Sequence, residues 1–206
     1  MLTFERKLWS DGFHRVMGLD EVGRGCLAGP VVAAGVILDP HGDHTGYRDS
    51  KTLSASKRER LAEKIREEAL YSVLIEKSPK RIDEINILNA SLEAMVCCSE
   101  SGGDPDFLLV DGNRYPASLV SFECIVKGDS RSASIAAASI LAKVHRDRIM
   151  KKLHHTYPGF GWEKNVGYPT KEHREALAEY GFTIHHRRSF RLGTDRSLDP
   201  IRTMGE

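Results

Sequence analysis

Long hydrophobic runs are missing from this chain of 206 residues. No stretch approaches the ~20 apolar residues that crossing a bilayer requires, so no membrane span is expected. The opening segment MLTFERKLWS is charged from its fifth residue and lacks the apolar centre of a secretory signal, which makes a cytoplasmic location the expectation. Cysteine is scarce: only Cys26, Cys97, Cys98 and Cys124 occur, with no C-x-x-C and no His at zinc-finger spacing. That excludes a disulfide framework and a structural zinc site, and leaves the four as small buried hydrophobes. An excess of either charge is also missing, since the formal net charge is +1.

What is present is ordinary for a globular protein: 40% hydrophobic and 29% charged residues. The length suffices for one sizeable core. The charge is unevenly placed, however. Lys143 to Arg196 holds 12 Lys/Arg against 6 Asp/Glu, together with six of the nine His. A basic C-terminal quarter suits a polyanionic ligand, although charge alone fits a solvated helical face equally well.

Periodicity predicts strands over Arg15–Asp20, Val31–Leu38, Tyr71–Ile75, Asp106–Val110 and Ser118–Val126. It predicts helices from about Ser54 with a capping box at Ser56–Glu59, over Pro79 to about Ser99, from Ser132 past Met150, and over Thr170–Tyr180 with Gly181 as C-cap. The order β-β-α-β-α-β-β-α-α is that of an α/β protein. Residues 1–157 read as the core and 158–206 as a helical cap and tail within one compact unit, with the last dozen residues loose.

Acidic residues stand where strands stop. Asp20-Glu21 closes one apolar strand, Asp111 ends the run Leu108-Leu109-Val110, and Asp129 lies between a strand and the helix opening at Ser132. Strand ends are where ligand sites collect in α/β sheets. Several carboxylates converging there offer the hard oxygen ligands that suit Mg²⁺ or Mn²⁺. Two such ions can promote in-line phosphoryl displacement by water. Asp129 alone is better explained as a cap or turn residue; Asp20, Glu21 and Asp111 together favour a metal site.

Gly23-Arg24-Gly25-Cys26-Leu27-Ala28 fits the dinucleotide fingerprint, but that motif requires a helix to follow at once. Here Gly29-Pro30 and the strand-like VVAAGVIL follow, so a nucleotide cofactor is rejected. What remains is a glycine-rich segment able to bring backbone groups against a ligand such as a ribose 2′-OH, or a simple turn.

Taken together, the segments Gly18–Gly25, Asp49–Leu53, Val110–Asn113, Lys127–Ser130, Ala136–Asp147 and Gly167–Thr170 resemble the ribonuclease HII (type 2 ribonuclease H) family, in the family's order and across most of the chain. The resemblance implies a ribonuclease H-like mixed sheet flanked by helices, with a helical C-terminal region. It implies that Asp20, Glu21, Asp111 and Asp129 are catalytic and hold Mn²⁺ or Mg²⁺. It implies that Gly23, Arg24 and Gly25 read the 2′-OH, that Lys51 lies near substrate phosphates, and that Tyr168 stacks where RNA gives way to DNA. The implied reaction is hydrolysis of the RNA strand in an RNA–DNA hybrid, including nicking 5′ of a ribonucleotide embedded in duplex DNA, leaving 3′-hydroxyl and 5′-phosphate ends. A monomer serving DNA replication and repair is expected.

Other features are read more plainly. Lys143 and Arg146 suit phosphate contacts, while Arg146-Asp147 equally suits a structural ion pair. His154-His155 and His185-His186 suit surface or phosphate-facing positions, because adjacent His diverge on a helix. The rival readings are a junction resolvase or integrase, which would cut all-DNA duplexes, and a hybrid-binding protein without activity.

Overall fold

Five segments pair into one mixed sheet: β1 (Val16–Val22), β2 (Val31–Ile37), β3 (Tyr71–Lys77), β4 (Phe107–Asp111) and β5 (Ser121–Ile125). The computed structural model describes residues 1–47, 50 and 53–191. The strand order is β3-β2-β1-β4-β5. β2 is antiparallel to both β1 and β3, whereas β4 runs parallel to β1 and β5 parallel to β4. Three parallel strands therefore end on the same side of the sheet. Leu19 stands opposite Val110, so one further step along both strands sets Asp20 beside Asp111.

Helices α2 (Ala55–Glu68) and α5 (Ala133–Thr156) cover one face; α3 (Pro79–Ile85) and α4 (Ile87–Glu100) cover the other. The alternation of strand side chains decides which residue meets which helix. Val32, Ala34 and Val36 pack under the α5 stretch Ala136–Ala138 and α2, while Met17, Leu19, Leu108 and Val110 pack under Ala94, Met95 and Cys98 of α4. Fully burying one such aliphatic side chain stabilises the fold by about 1.5–3 kcal/mol. Small residues let α5 lie very close to β1. At Gly18 a Cβ would overlap the Ser134 and Ile135 backbone of α5, so the closest approach depends on that glycine.

Four sequence expectations change here. A short helix, α1 (Thr3–Ser10), precedes β1 and was not anticipated. The long helix expected over 79–99 is two, broken at Asn86, whose φ of 65° is left-handed and whose side chain accepts from the Asn89 N–H to cap α4. The cap of α2 is Ser54, which accepts from the Lys57 N–H, rather than a box beginning at Ser56. Strand β1 continues through the acid pair to Val22 instead of stopping at Asp20. Ser132 and Thr170 cap α5 and α7 (Lys171–Tyr180), and Gly181 ends α7 with φ 72°.

The region after α5 contains α6 (Trp162–Asn165) and α7. Phe160, Trp162, Ala176 and Leu177 bury against Met150 of α5 and against Leu27 and Ala28 of the β1–β2 loop. The expected loose tail lies outside the described residues. Among those described, no helix is long and apolar enough to cross a membrane.

Candidate active site

The four acids come together where β1, β4 and β5 end. On β1, Asp20 faces α5, where Ser139 hydrogen-bonds its carboxyl. Glu21 points to the α4 side. Asp111 is the last residue of β4, and its Oδ1 accepts the Gly128 N–H at 2.6 Å. Asp129 sits in the turn Gly128–Ser130 that connects β5 to α5. Asp20 and Asp129 are 6% and 8% exposed, low values for carboxylates.

Burial and like charge show in the proton affinities of Asp20, Glu21 and Asp111. Burial, then the charges of Glu21 and Asp111, hold Asp20 well above the usual carboxylate range. Burial also raises Glu21, with Asp111 adding to the rise and Arg24 opposing it. Asp111 is raised by burial and by Asp129, against the Gly128 and Gly112 backbone donors. Among the described residues Arg24 supplies a cation here: its Nη1 lies 3.2 Å from Glu21 Oε1 while half its side chain remains exposed. A divalent cation would relieve this repulsion, and the donors are all hard oxygens. Among the described residues no three His, Cys, Asp or Glu form a ready cage. Mg²⁺ in particular completes its shell from water and substrate phosphate, so an incomplete protein shell fits such an ion.

Beside the acids opens a cavity of about 340 Å³, lined by Glu21, Arg24, Ser91, Asp111, Asn113 and Arg114 among others. The glycine-rich loop contributes Arg24 to its lining. β2 follows it at Val31, so no helix N-terminus receives a pyrophosphate there. Gly23 has φ +95°, and a Cβ on it would run into the Arg146 guanidinium. Among the described residues Gly25 has only the Tyr168 ring near it, at 3.9 Å from where a Cβ would lie. Tyr168 is 40% exposed and hydrogen-bonded to the Cys26 thiol. Its ring therefore flanks the loop with one side open.

Two buried arginines hold this loop from behind. Arg146 donates to the carbonyls of Ala28, Pro30 and Val166 at 2.8–3.0 Å. Arg187 donates to Gly29 O and Arg24 O at 2.9–3.0 Å, and its own N–H reaches Leu27 O. Neither is exposed, and burial pulls Arg187 down to about 10. Arg146 thus serves neither expected role; Asp147 pairs instead with Lys143 Nζ at 2.7 Å. His186 corrects the expectation of a surface role. It is buried, with Nε2 3.1 Å from His173 Nε2, and burial pushes it down to about 3. His173 Nε2 also accepts from Trp162 Nε1–H, which leaves Nδ1–H to donate to Tyr168 O at 2.9 Å. The C-terminal segment thereby fixes the backbone of Tyr168.

The structure brings Asp20, Glu21, Asp111, Asp129, Gly23, Arg24, Gly25 and Tyr168 to one region. Lys51 lies outside the described residues. Sequence reasoning passed over Ser139, Asn113 and Arg114 as site residues, as well as Arg187. Ser139 had one signal, a hydroxyl inside a buried alanine run, where it also meets Ser50 Oγ at 3.0 Å.

Comparison with known proteins gives a consistent answer. A family model described as ribonuclease HII matches residues 17–192. The ribonuclease HII of Salinibacter ruber is 52% identical over 200 residues, covering 95% of this chain and 100% of that one. The crystal structure of ribonuclease H2 from Pyrococcus horikoshii superposes with a TM-score of 0.78 at 28% identity, covering 93% of this chain and 100% of that one. The ribonuclease HII in a PCNA complex from Archaeoglobus fulgidus gives a TM-score of 0.72 at 28% identity over 86% of this chain and 95% of that one.

Proposed function

Since the chain belongs to the ribonuclease HII family, and is therefore a ribonuclease H hydrolase acting on RNA–DNA hybrids, we propose that it also nicks duplex DNA on the 5′ side of an embedded ribonucleotide, using two divalent metal ions. One observation carries this reading: four carboxylates crowd one end of the sheet, and among the described residues Arg24 pairs with one of them, Glu21.

Asp20, Glu21 and Asp111 hold the ions and Asp129 completes the set. Bound Mn²⁺ or Mg²⁺ supplies Lewis-acid polarisation of the phosphate and a more acidic water. The chain's own groups do the rest. The segment Gly23-Arg24-Gly25 reaches the ribose 2′-OH, which is recognised and not used as the attacking group. Lys51 meets phosphate, and Tyr168 stacks at the junction from RNA to DNA. Water is the nucleophile, leaving 3′-hydroxyl and 5′-phosphate ends. We read residues 158–191 as a cap that steadies the glycine-rich loop on a core of residues 1–157, and the protein as a cytoplasmic monomer serving ribonucleotide excision.

The deciding test offers the purified protein a long hybrid, a DNA duplex with one ribonucleotide, and an all-DNA duplex, each with and without EDTA. Cleavage of the first two only, abolished by EDTA, is expected. Cutting of the all-DNA duplex would point to a resolvase-like nuclease instead. A narrower check concerns Tyr168. Tyr168→Ala should lower junction cleavage about 10-fold or more, the worth of roughly 1–3 kcal/mol of stacking, whereas Asp147→Ala stays within about 3-fold. Equal losses in steady-state assays of the two variants would remove Tyr168 from the site.

A further inference from the structure

Glu5 is a fully buried carboxylate on α1, ahead of the residues matched by the family model. Its Oε1 accepts three hydrogen bonds from the start of α5: Ser132 Oγ at 2.5 Å, Ser134 N at 2.9 Å and Ser134 Oγ at 2.8 Å. Its Oε2 is buried and has no hydrogen-bond partner among the described residues. Carboxylates are seldom buried in this way, and an unpaired oxygen adds to the desolvation penalty. The negative charge lies at the N-terminus of a 24-residue helix, where the helix dipole favours it.

The contacts continue to the acids. Ser132 N–H donates to Gly128 O at 2.8 Å, and Gly128 N–H donates to Asp111 Oδ1 at 2.6 Å. The turn between them carries Asp129 and is entered through Lys127, a non-glycine residue with φ 57°. A backbone in that region persists only when its surroundings hold it there. Glu5 grips the hydroxyl of the residue that closes the turn.

We propose that Glu5 is a positioning residue for the acid site: by fixing Ser132 it sets the Gly128–Ser130 turn, and through it the placement of Asp111 and Asp129. The inference rests on the reading that these two acids serve the reaction, and the test separates the two ideas. Glu5→Ala is expected to lower kcat on a hybrid about tenfold, with KM changed less than about twofold. The apparent dissociation constant for Mn²⁺ measured by calorimetry should rise several-fold. In the metal-free protein, hydrogen exchange at the Gly128 and Ser132 amides should quicken while β2 amides stay protected. Glu5→Gln, which keeps a carbonyl oxygen for the three donors, should recover most of kcat.

Leu8→Ala controls for damage to α1: Leu8 is buried beside Ile135 and Leu109 but makes no contact with Ser132 through a polar group. It should lower Tm with kcat and Mn²⁺ affinity near the wild-type values. Should Glu5→Ala fail to fold, Ser132→Ala replaces it, with the same expected losses. If Glu5→Ala or its substitute lowers only Tm, with kcat, Mn²⁺ affinity and Gly128 exchange unchanged, Glu5 is a structural cap and the proposal fails. If Asp129→Asn cleaves at the wild-type rate, the assignment of Asp129 fails instead, whatever the Glu5 variants do.

Discussion

Asp20→Asn or Asp111→Asn should lower hybrid cleavage by more than about 100-fold while the metal-free protein becomes harder to unfold. Losing an outer partner of a metal ligand typically costs about 10–100-fold, and losing a ligand itself should exceed that. The stability effect has the opposite sign because ionised Asp20 is a burden without a cation. Its carboxyl is held high by burial and by Glu21 and Asp111, so the folded state binds the proton more tightly than the unfolded chain. The stability this confers is fully present in acid and drains away as pH rises through the folded value. Asparagine fixes the uncharged state. The gain in Tm should therefore be largest at neutral to alkaline pH and shrink in acid, at about 2–4 °C for each kcal/mol in a chain of this size. Added Mn²⁺ should reverse the ranking by stabilising the wild type alone. Thermal scans across pH, with and without metal, are the measurement; an Asp20→Asn protein less stable than wild type at neutral pH would mean that the acids do not burden the fold.

The second large effect concerns spacing. Gly18→Ala puts a methyl group into the backbone of α5 at Ser134 and Ile135, and backbone cannot rotate aside. Overpacking usually costs about 1–3 kcal/mol, and a clash of this kind belongs at the upper end. Tm should fall by roughly 6–12 °C. Cleavage should fall with it even well below Tm, since lifting α5 withdraws Ser139 from Asp20. A variant melting within about 2 °C of wild type would show that the helix-to-sheet distance is not set at Gly18.

Much of this was legible in the chain. The five strands and the acids at their ends follow from local pattern, since a carboxylate closing an apolar run such as Leu108–Val110 stands out without any partner. What the pattern could not supply was adjacency. Asp20 and Asp111 meet because β1 and β4 run parallel and in a particular register, which depends on the chain crossing over between them. Asp129, ambiguous alone, gains its neighbours the same way through β5. Asn86 was hidden inside a continuous helical period, although a residue tolerant of left-handed backbone could have marked the break. Arg146 and Arg187 were opaque for a different reason. Their partners are main-chain carbonyls, which every residue has, so no side-chain motif announces them. Glu5 was missed with α1, a helix of only eight residues.

The guanidinium of Arg187 has a consequence for how the protein is made. The peptide oxygens of Arg24 and Gly29 emerge early from the ribosome, but the cation that satisfies them is encoded more than 150 positions later. Until Arg187 has been made, the glycine-rich loop lacks one of its two arginine anchors, so a growing polypeptide carries all four acids beside an incompletely held loop. An element that follows the acids in the chain is thus needed to steady the loop beside them.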